Sequence, residues 1–141
     1  MILPDINLLL HAYNSESPVH AGARLVGRPL SGRRRVALAR ATILGFVRVA
    51  THRQIFANPL AVAVACAHVR GMAWSALGQR HRSRGASCRD PLRLLESLGT
   101  AGNLTTDAHL AALAIEHQAE LHSTDADFTR FPGLRWVNPL A

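Results

Sequence analysis

The feature of this sequence that most constrains its fold is the alternation of short apolar segments with longer helical patterns. Four segments have the length and composition of strands: Ile2 to Asp5, Val36 to Ala39, Glu120 to Ser123 and Arg135 to Val137. The helical patterns are Asn7 to Tyr13, Val19 to Val26, Thr42 to Ala50, Ala61 to Ala76, Pro91 to Leu98 closed by Gly99, and a helix capped by Thr105 or Thr106 that ends at Gln118. Strands that alternate with helices predict an α/β fold with a small, mainly parallel sheet flanked by helices.

The size and composition of the chain indicate one domain, residues 1–141, with a sizeable core, since 48% of its 141 residues are hydrophobic. The longest apolar stretch, Leu60 to Val69, is far shorter than the roughly 20 residues of a membrane-spanning helix. The N-terminus lacks the basic segment of a signal peptide. The two cysteines have neither CxxC nor zinc-site spacing, as expected of incidental thiols in a reducing compartment. We therefore expect a cytoplasmic protein without a membrane segment.

Positive charge dominates the chain, because all 16 basic residues are arginine and the formal net charge is +7. Such an excess favours an anionic partner, for example nucleic acid. The arginines cluster in two segments of loop character, one with Arg33, Arg34 and Arg35 and one with Arg82 and Arg84. These clusters are candidates for contact with an RNA backbone, and solvated loops remain the alternative.

Acidic residues are few, and several of the nine occur where predicted strands end. Asp5 ends the first strand, and Asp125 and Asp127 follow the strand that contains Leu121. In open parallel sheets, ligands bind beyond the carboxyl ends of the strands. We therefore expect these acids to lie at the functional edge of the sheet.

Asp107 belongs to the predicted helix that precedes this last acidic segment. The polar residues His109, Glu116 and Glu120 recur along it as one solvent-facing stripe. At 100° per residue, Asp107 lies about 180° from Glu116, on the buried side. An acid in a first helical turn is ordinarily a surface residue that interacts with the helix dipole. Here the direction of the side chain favours a site shared with Asp5 and Asp125.

Three carboxylates that converge in one cleft repel one another, and their pKa values rise. A divalent cation such as Mg²⁺ or Mn²⁺, which prefers oxygen ligands, would remove that repulsion. The corresponding chemistry is phosphodiester hydrolysis, in which the metal activates water and neutralises charge on the phosphate. A basic protein with an acidic metal cleft suits a nucleic-acid substrate, because its surface attracts the backbone that the bare cleft would repel.

These residues resemble a known family. The opening ILPDINLLLHAY is similar to the D-x-N-x-L start of PIN-domain proteins. The segment AGNLTTDAHLAALAIEHQAELHSTDADFTRFPGLRWVNPL resembles the C-terminal half of VapC toxins, the ribonucleases of VapBC toxin–antitoxin pairs, and GFVRVATHRQIFANPL resembles a subgroup of them. The resemblance implies a PIN-like fold with an acidic Mg²⁺ site that cleaves RNA, commonly a transfer RNA or a ribosomal RNA loop. It also implies a homodimer and a cognate VapB-like antitoxin whose tail blocks the cleft.

The resemblance also assigns roles to individual residues. Asp5, Asp107 and Asp125 match the catalytic acids that hold the metal directly or through water. The residues that match supporting positions are Asn7, Thr124 and Asp127. Capping and turn hydrogen bonds are the alternative for these three, and Asp127 equally suits a turn before Phe128.

Two departures from the family pattern stand out. Many PIN proteins carry a glutamate in the helix after the second strand, where this chain has Gly45. One metal ligand or water contact is then missing, or Glu16 or Glu96 replaces it. The segment from Ala61 to Arg89 is also atypical, because it is rich in alanine and arginine.

Two other functions remain open from the sequence. One is a PIN module without catalytic activity, which would bind RNA or an antitoxin but not cleave RNA. The glycine at position 45, in place of the family acid, would explain the loss of activity. A metal-dependent phosphatase for small phosphoesters is the other alternative. An Asp-x-Asp after the first strand would support it, but the chain has Asn7 at the second position.

Overall fold

The computed structural model describes residues 1–26, 35–71, 75–77, 91–100 and 102–141. The strands in these ranges are β1 (Ile2–Pro4), β2 (Ala37–Ala39), β3 (Ser75–Leu77), β4 (Glu120–His122) and β5 (Arg135–Val137). The helices are α1 (Ile6–Tyr13), α2 (His20–Val26), α3 (Arg40–Ala50), α4 (Val62–Gly71), α5 (Pro91–Leu98) and α6 (Leu104–Glu116), and a 3₁₀ helix (Ala126–Arg130) follows β4. None of the helices in the described ranges combines the length and apolarity of a membrane span.

The strands are parallel throughout, as the alternating sequence pattern predicts. β1, β4 and β5 are hydrogen-bonded in that order, and β2 pairs with β3. A parallel bridge between Ile2 and Val36 joins the two groups. The strand order is therefore β3-β2-β1-β4-β5, and the central strand β1 lies between β2 and β4. All carboxyl ends of the strands lie at one edge, and α1 and α3 begin there directly after β1 and β2.

Two apolar clusters hold the helices on the sheet. The first surrounds α6, whose buried residues are mostly alanine and leucine and pack with Leu3, Leu121 and Phe128. Small side chains let α6 approach the sheet closely, so its N-terminus is fixed relative to β1 and β4. The second cluster is centred on Phe46 of α3, with Leu38 of β2. Both apolar clusters therefore support the edge at which the carboxyl ends of the strands lie.

The predicted helix from Ala61 to Ala76 is wrong at its C-terminal end. α4 ends at Gly71, and Ser75–Leu77 forms β3, with Ser75 opposite Ala37. Alanine favours a helix locally, but β2 offers unpaired backbone groups that a following segment can satisfy. The second arginine-containing segment of predicted loop character, with Arg82 and Arg84, lies outside the described residues.

The start of the strong C-terminal helix is also earlier than predicted. α6 begins at Leu104 after Asn103, and neither Thr105 nor Thr106 is its N-cap. The Thr105 hydroxyl instead donates to the Gly102 carbonyl, at 2.8 Å. α6 ends at Glu116, two residues before Gln118, which has a positive φ of 51°. The predicted end of α5 is confirmed, because Gly99 has the left-handed φ of 67° that glycine tolerates.

Candidate active site

Asp5 occupies the junction between β1 and α1, where it is the N-cap of the helix. It is 8% exposed. Its Oδ1 accepts from the Ile6 N–H at 2.6 Å, and its Oδ2 accepts from the Ser123 hydroxyl at 3.0 Å. Burial raises the pKa of Asp5, these two hydrogen bonds oppose the rise, and Asp125 adds to it. A carboxylate inside the first apolar segment is therefore tolerated because hydrogen bonds compensate part of its desolvation.

Ser123 is the centre of this hydrogen-bond network. It directly follows β4, is fully buried, and lies beside Asp5 because Pro4 pairs with His122. Its hydroxyl donates to Asp5 and accepts from the Asn7 side-chain amide at 2.9 Å and from the Asp125 N–H at 3.0 Å. A serine hydroxyl has one proton and two lone pairs, so all of its capacity is used. One side chain thus connects the residues that follow β1 with those that follow β4.

The Ser123 hydroxyl also fixes the orientation of Asn7. Ionised Asp5 can only accept, so it takes the one hydroxyl proton, and Asn7 must turn its NH₂ group toward Ser123. The Asn7 Oδ1 atom then faces away. It is buried and has no hydrogen-bond partner among the described residues, and Asn7 lines the cleft described below. A buried amide oxygen without a partner is costly, so this atom is suited to accept from a water or to contact a cation.

Asp107 lies in the first turn of α6, on the side facing the other acids, as its position on the helix predicts. Its pKa is raised from 3.8 to about 6, first by burial and then by the charges of Asp5, Asp125 and Asp127. The three predicted catalytic acids therefore interact electrostatically. Every cause that is resolved for this shift raises the pKa, as expected for carboxylates that repel one another.

The acids after β4 are more exposed. Asp125 is the N-cap of the 3₁₀ helix, where its Oδ1 accepts from the Asp127 N–H at 2.9 Å. Asp127 is exposed and lies 3.8 Å from Arg130, a distance typical of a weak surface ion pair. Thr124 is half-buried, and in the described part of the chain its side chain makes no hydrogen bond. The hydroxyl that supports the acids belongs to Ser123, one residue earlier, which sequence reasoning missed.

A cleft of about 570 Å³ joins these residues to α3. Its acidic and polar lining comprises Asp5, Asn7, Thr106, Asp107 and Asp125. The rest of the lining comprises Ile6, Leu10, Ala41, Leu44, Gly45 and Arg48. All three predicted metal-binding acids thus face one cavity.

The donor set fits a hard divalent cation that keeps part of its water shell. Within the described residues, no group of three or more His, Cys, Asp and Glu side chains is placed to hold a metal ion. Mg²⁺ is commonly bound through only one or two carboxylates and several waters. The raised pKa of Asp107 and the unpaired Asn7 oxygen are what such an ion and its waters would compensate.

Gly45 lines the cleft where many PIN proteins carry a glutamate, and Ile6 occupies the adjacent space. A Cβ atom on Gly45 would overlap the Ile6 Cδ1 atom. Neither Glu16 nor Glu96 lines the cleft, and both are exposed. Neither of these two glutamates therefore replaces the missing acid in the cleft.

Of the predicted RNA-binding arginines, the structure describes only Arg35. Arg35 is exposed, and it does not line the cleft. Arg33, Arg34, Arg82 and Arg84 lie outside the described residues. Trp136 packs on the first apolar cluster and donates its indole N–H to the Ser123 carbonyl at 3.1 Å.

The acid cleft predicts a specific pH dependence of stability for the metal-free protein. Because the pKa of Asp107 is about 6 when folded and 3.8 ordinarily, the folded state binds its proton more tightly. This contribution to stability is complete below pH 3.8 and is lost as the pH rises through about 6. In EDTA, the melting temperatures of wild type and Asp107→Asn should agree near pH 4, and the variant should melt higher above pH 6.5. Parallel curves across this range would show that Asp107 is not desolvated as described.

Comparison with known proteins identifies the family of the chain. No family model matches it. Ribonuclease VapC33 and Ribonuclease VapC37 of Mycobacterium tuberculosis are each 42% identical to it, over 99% and 100% of this chain and 99% of their own lengths. Among solved structures, VapBC2 from Rickettsia felis bound to a promoter DNA fragment has a TM-score of 0.62 at 17% identity, covering 98% of both chains. The fold is therefore the predicted PIN-like α/β fold, and the chain belongs to the VapC family of toxin ribonucleases.

Proposed function

We propose that this protein is a Mg²⁺-dependent endoribonuclease that cleaves structured RNA, a transfer RNA or a ribosomal RNA loop, in the cytoplasm. The observation that carries the proposal is the convergence of Asp5, Asp107 and Asp125 on one cleft, where burial and the neighbouring acidic charges raise the pKa of Asp107 to about 6. Such a cleft is unfavourable in the absence of a cation and favourable with one. Curated relatives that span the whole chain are named ribonucleases, which agrees with this chemistry.

The residues of the cleft have separate tasks in this mechanism. When bound, Mg²⁺ supplies positive charge for the phosphate and makes a nearby water more acidic. Asp5, Asp107 and Asp125 would hold the ion, partly through its waters. Ser123 keeps Asp5 and the Asp125 backbone in register, and it orients the Asn7 amide, whose buried oxygen has no partner among the described residues.

We also propose that a cognate VapB-like antitoxin neutralises the enzyme and that the toxin forms a homodimer. The similar Rickettsia felis structure is that of a VapBC pair. A tail of the antitoxin that enters the cleft would exclude RNA from the acids. If a small protein is encoded next to this gene, its co-expression with the toxin should yield a stable complex without RNase activity. Light scattering of the toxin alone measures its oligomeric state.

The proposed activity is tested by incubating antitoxin-free protein with total bacterial RNA and mapping new 5′ ends. We expect a small number of discrete cleavage sites with Mg²⁺ or Mn²⁺ and none with EDTA, because the acids repel RNA in the absence of a cation. Calorimetric titration with Mn²⁺ provides a second measurement that does not depend on activity. A folded protein that binds neither metal at millimolar concentration and leaves RNA intact would instead be a non-catalytic PIN module.

A further inference from the structure

The α3 side of the cleft is built differently from the acidic side. Four α3 residues line it: Ala41, Leu44, Gly45 and Arg48. Their spacing of three, one and three residues places them on one face of the helix. This face presents no carboxylate, and Ile6 fills the space beside Gly45. The α3 side of the cleft therefore supplies no carboxylate ligand for a metal ion.

Arg48 gives this wall a positive charge directed to the same cavity as the acids. Its side chain is exposed, in the last turn of α3. Within the described residues, the ion pairs are His122 with Glu120 and Arg130 with Asp127, so no carboxylate neutralises Arg48. A guanidinium that is free of protein partners and presents a fork of donors suits a phosphate group.

Leu44 adds an apolar surface beside this charge. It is 62% exposed, which is unusual for a large aliphatic side chain, and it lines the cleft with Ile6 and Leu10. An exposed apolar strip next to a single cation matches the alternation of base or sugar and phosphate along an unpaired nucleic-acid strand. A small phosphoester would have no use for both features.

We propose that Arg48 binds a backbone phosphate of the RNA strand next to the one held at the acids, and that Leu44 contacts the intervening nucleoside. This inference rests on the proposed ribonuclease function and deepens it. Arg48 is a substrate-positioning residue, and it takes no part in the proton transfers. The α3 wall thereby holds the strand while the acidic side performs the hydrolysis.

The test measures binding separately from cleavage. A fluorescent single-stranded RNA is titrated with the Asp107→Asn protein, without and with an added Arg48→Gln, Arg48→Lys or Arg53→Gln substitution. Arg53 is the matched control, because it is exposed, follows the same helix and does not line the cleft. Each substitution to glutamine removes one positive charge, so long-range attraction falls equally in both.

We expect Arg48→Gln to weaken binding about tenfold and to reduce the slope of log K against log salt by about 0.7, the value for one phosphate of a single strand. Arg48→Lys should restore the slope but only part of the affinity, and Arg53→Gln should change the affinity less than about twofold. In the cleaving wild-type background, Arg48→Gln should raise KM more than it lowers kcat. Its melting temperature should stay unchanged, because the side chain is exposed.

Two outcomes would overturn the inference, and they are distinguishable. If the parent protein binds RNA but Arg48→Gln matches Arg53→Gln in affinity and salt slope, Arg48 does not contact a phosphate and the ribonuclease proposal stands. If the parent protein does not bind RNA and the wild type does not cleave it, the proposed function fails together with the inference.

Discussion

Replacing Asp107 by asparagine should reduce RNA cleavage by about 10³-fold or more while the protein remains folded. Asp107 faces Asp5 and Asp125 in the cleft. Burial and the charges of these two acids raise its pKa. Loss of that charge weakens the cation site by several kcal/mol, and each ~1.4 kcal/mol corresponds to tenfold in rate. Single-turnover cleavage of a mapped RNA site measures the effect.

The same substitution should stabilise the metal-free protein at neutral pH, because it removes a charge that is partly buried and that the other acids repel. We expect on the order of 1 kcal/mol, after allowance for solvent screening of a partly exposed group. The matched control is Glu116→Gln, which removes a carboxylate from the opposite face of α6 and should leave cleavage unchanged. Cleavage by Asp107→Asn at the wild-type rate would exclude this residue from the site.

Replacing Ser123 by alanine should lower both stability and activity. The change leaves the Asn7 amide, the Asp125 N–H and one Asp5 oxygen without their shared partner. We expect a loss of about 2–3 kcal/mol in the free energy of unfolding, since buried polar groups become unsatisfied. Cleavage should fall about 100-fold, because the acids lose their fixed positions. Urea unfolding and the rate of RNA cleavage measure the two effects.

Ser123→Thr separates the hydroxyl from the size of the side chain. Threonine keeps the donor and acceptor, but its extra methyl group must fit at a fully buried position. We expect a cost of about 1–3 kcal/mol in stability with most of the cleavage rate retained. If Ser123→Thr and Ser123→Ala lose activity equally, the hydroxyl network does not position the catalytic acids.

Much of the fold follows from local sequence patterns. Short apolar segments bounded by helices predict β1, β2, β4 and β5 within a residue or two. The strand β3 could not be predicted from its own residues, because Ser75–Leu77 continues an alanine-rich helical pattern. Its strand state depends on pairing with β2, a contact between segments almost 40 positions apart.

The candidate site likewise contains residues that the sequence predicts and one that it does not. Asp5 and Asp125 could be placed from sequence, because an acid that follows a strand lies at the carboxyl edge of a parallel sheet. The helical angle of Asp107 likewise predicts its inward direction. The role of Ser123 could not be read in this way. Beside Thr124 and Asp125 it resembles one more turn residue, and only the pairing of Pro4 with His122 brings it to Asp5.

The sequence by itself therefore determined the layered α/β class, the set of three acids and the edge of the sheet at which they meet, because each depends on spacing along one segment. Only the tertiary structure decided which hydroxyl connects the acids, how strongly burial raises the pKa of Asp107, and that Ile6, Leu44 and Arg48 form the opposite wall. These properties depend on distances between residues that are remote in the chain, and no local sequence pattern determines such distances.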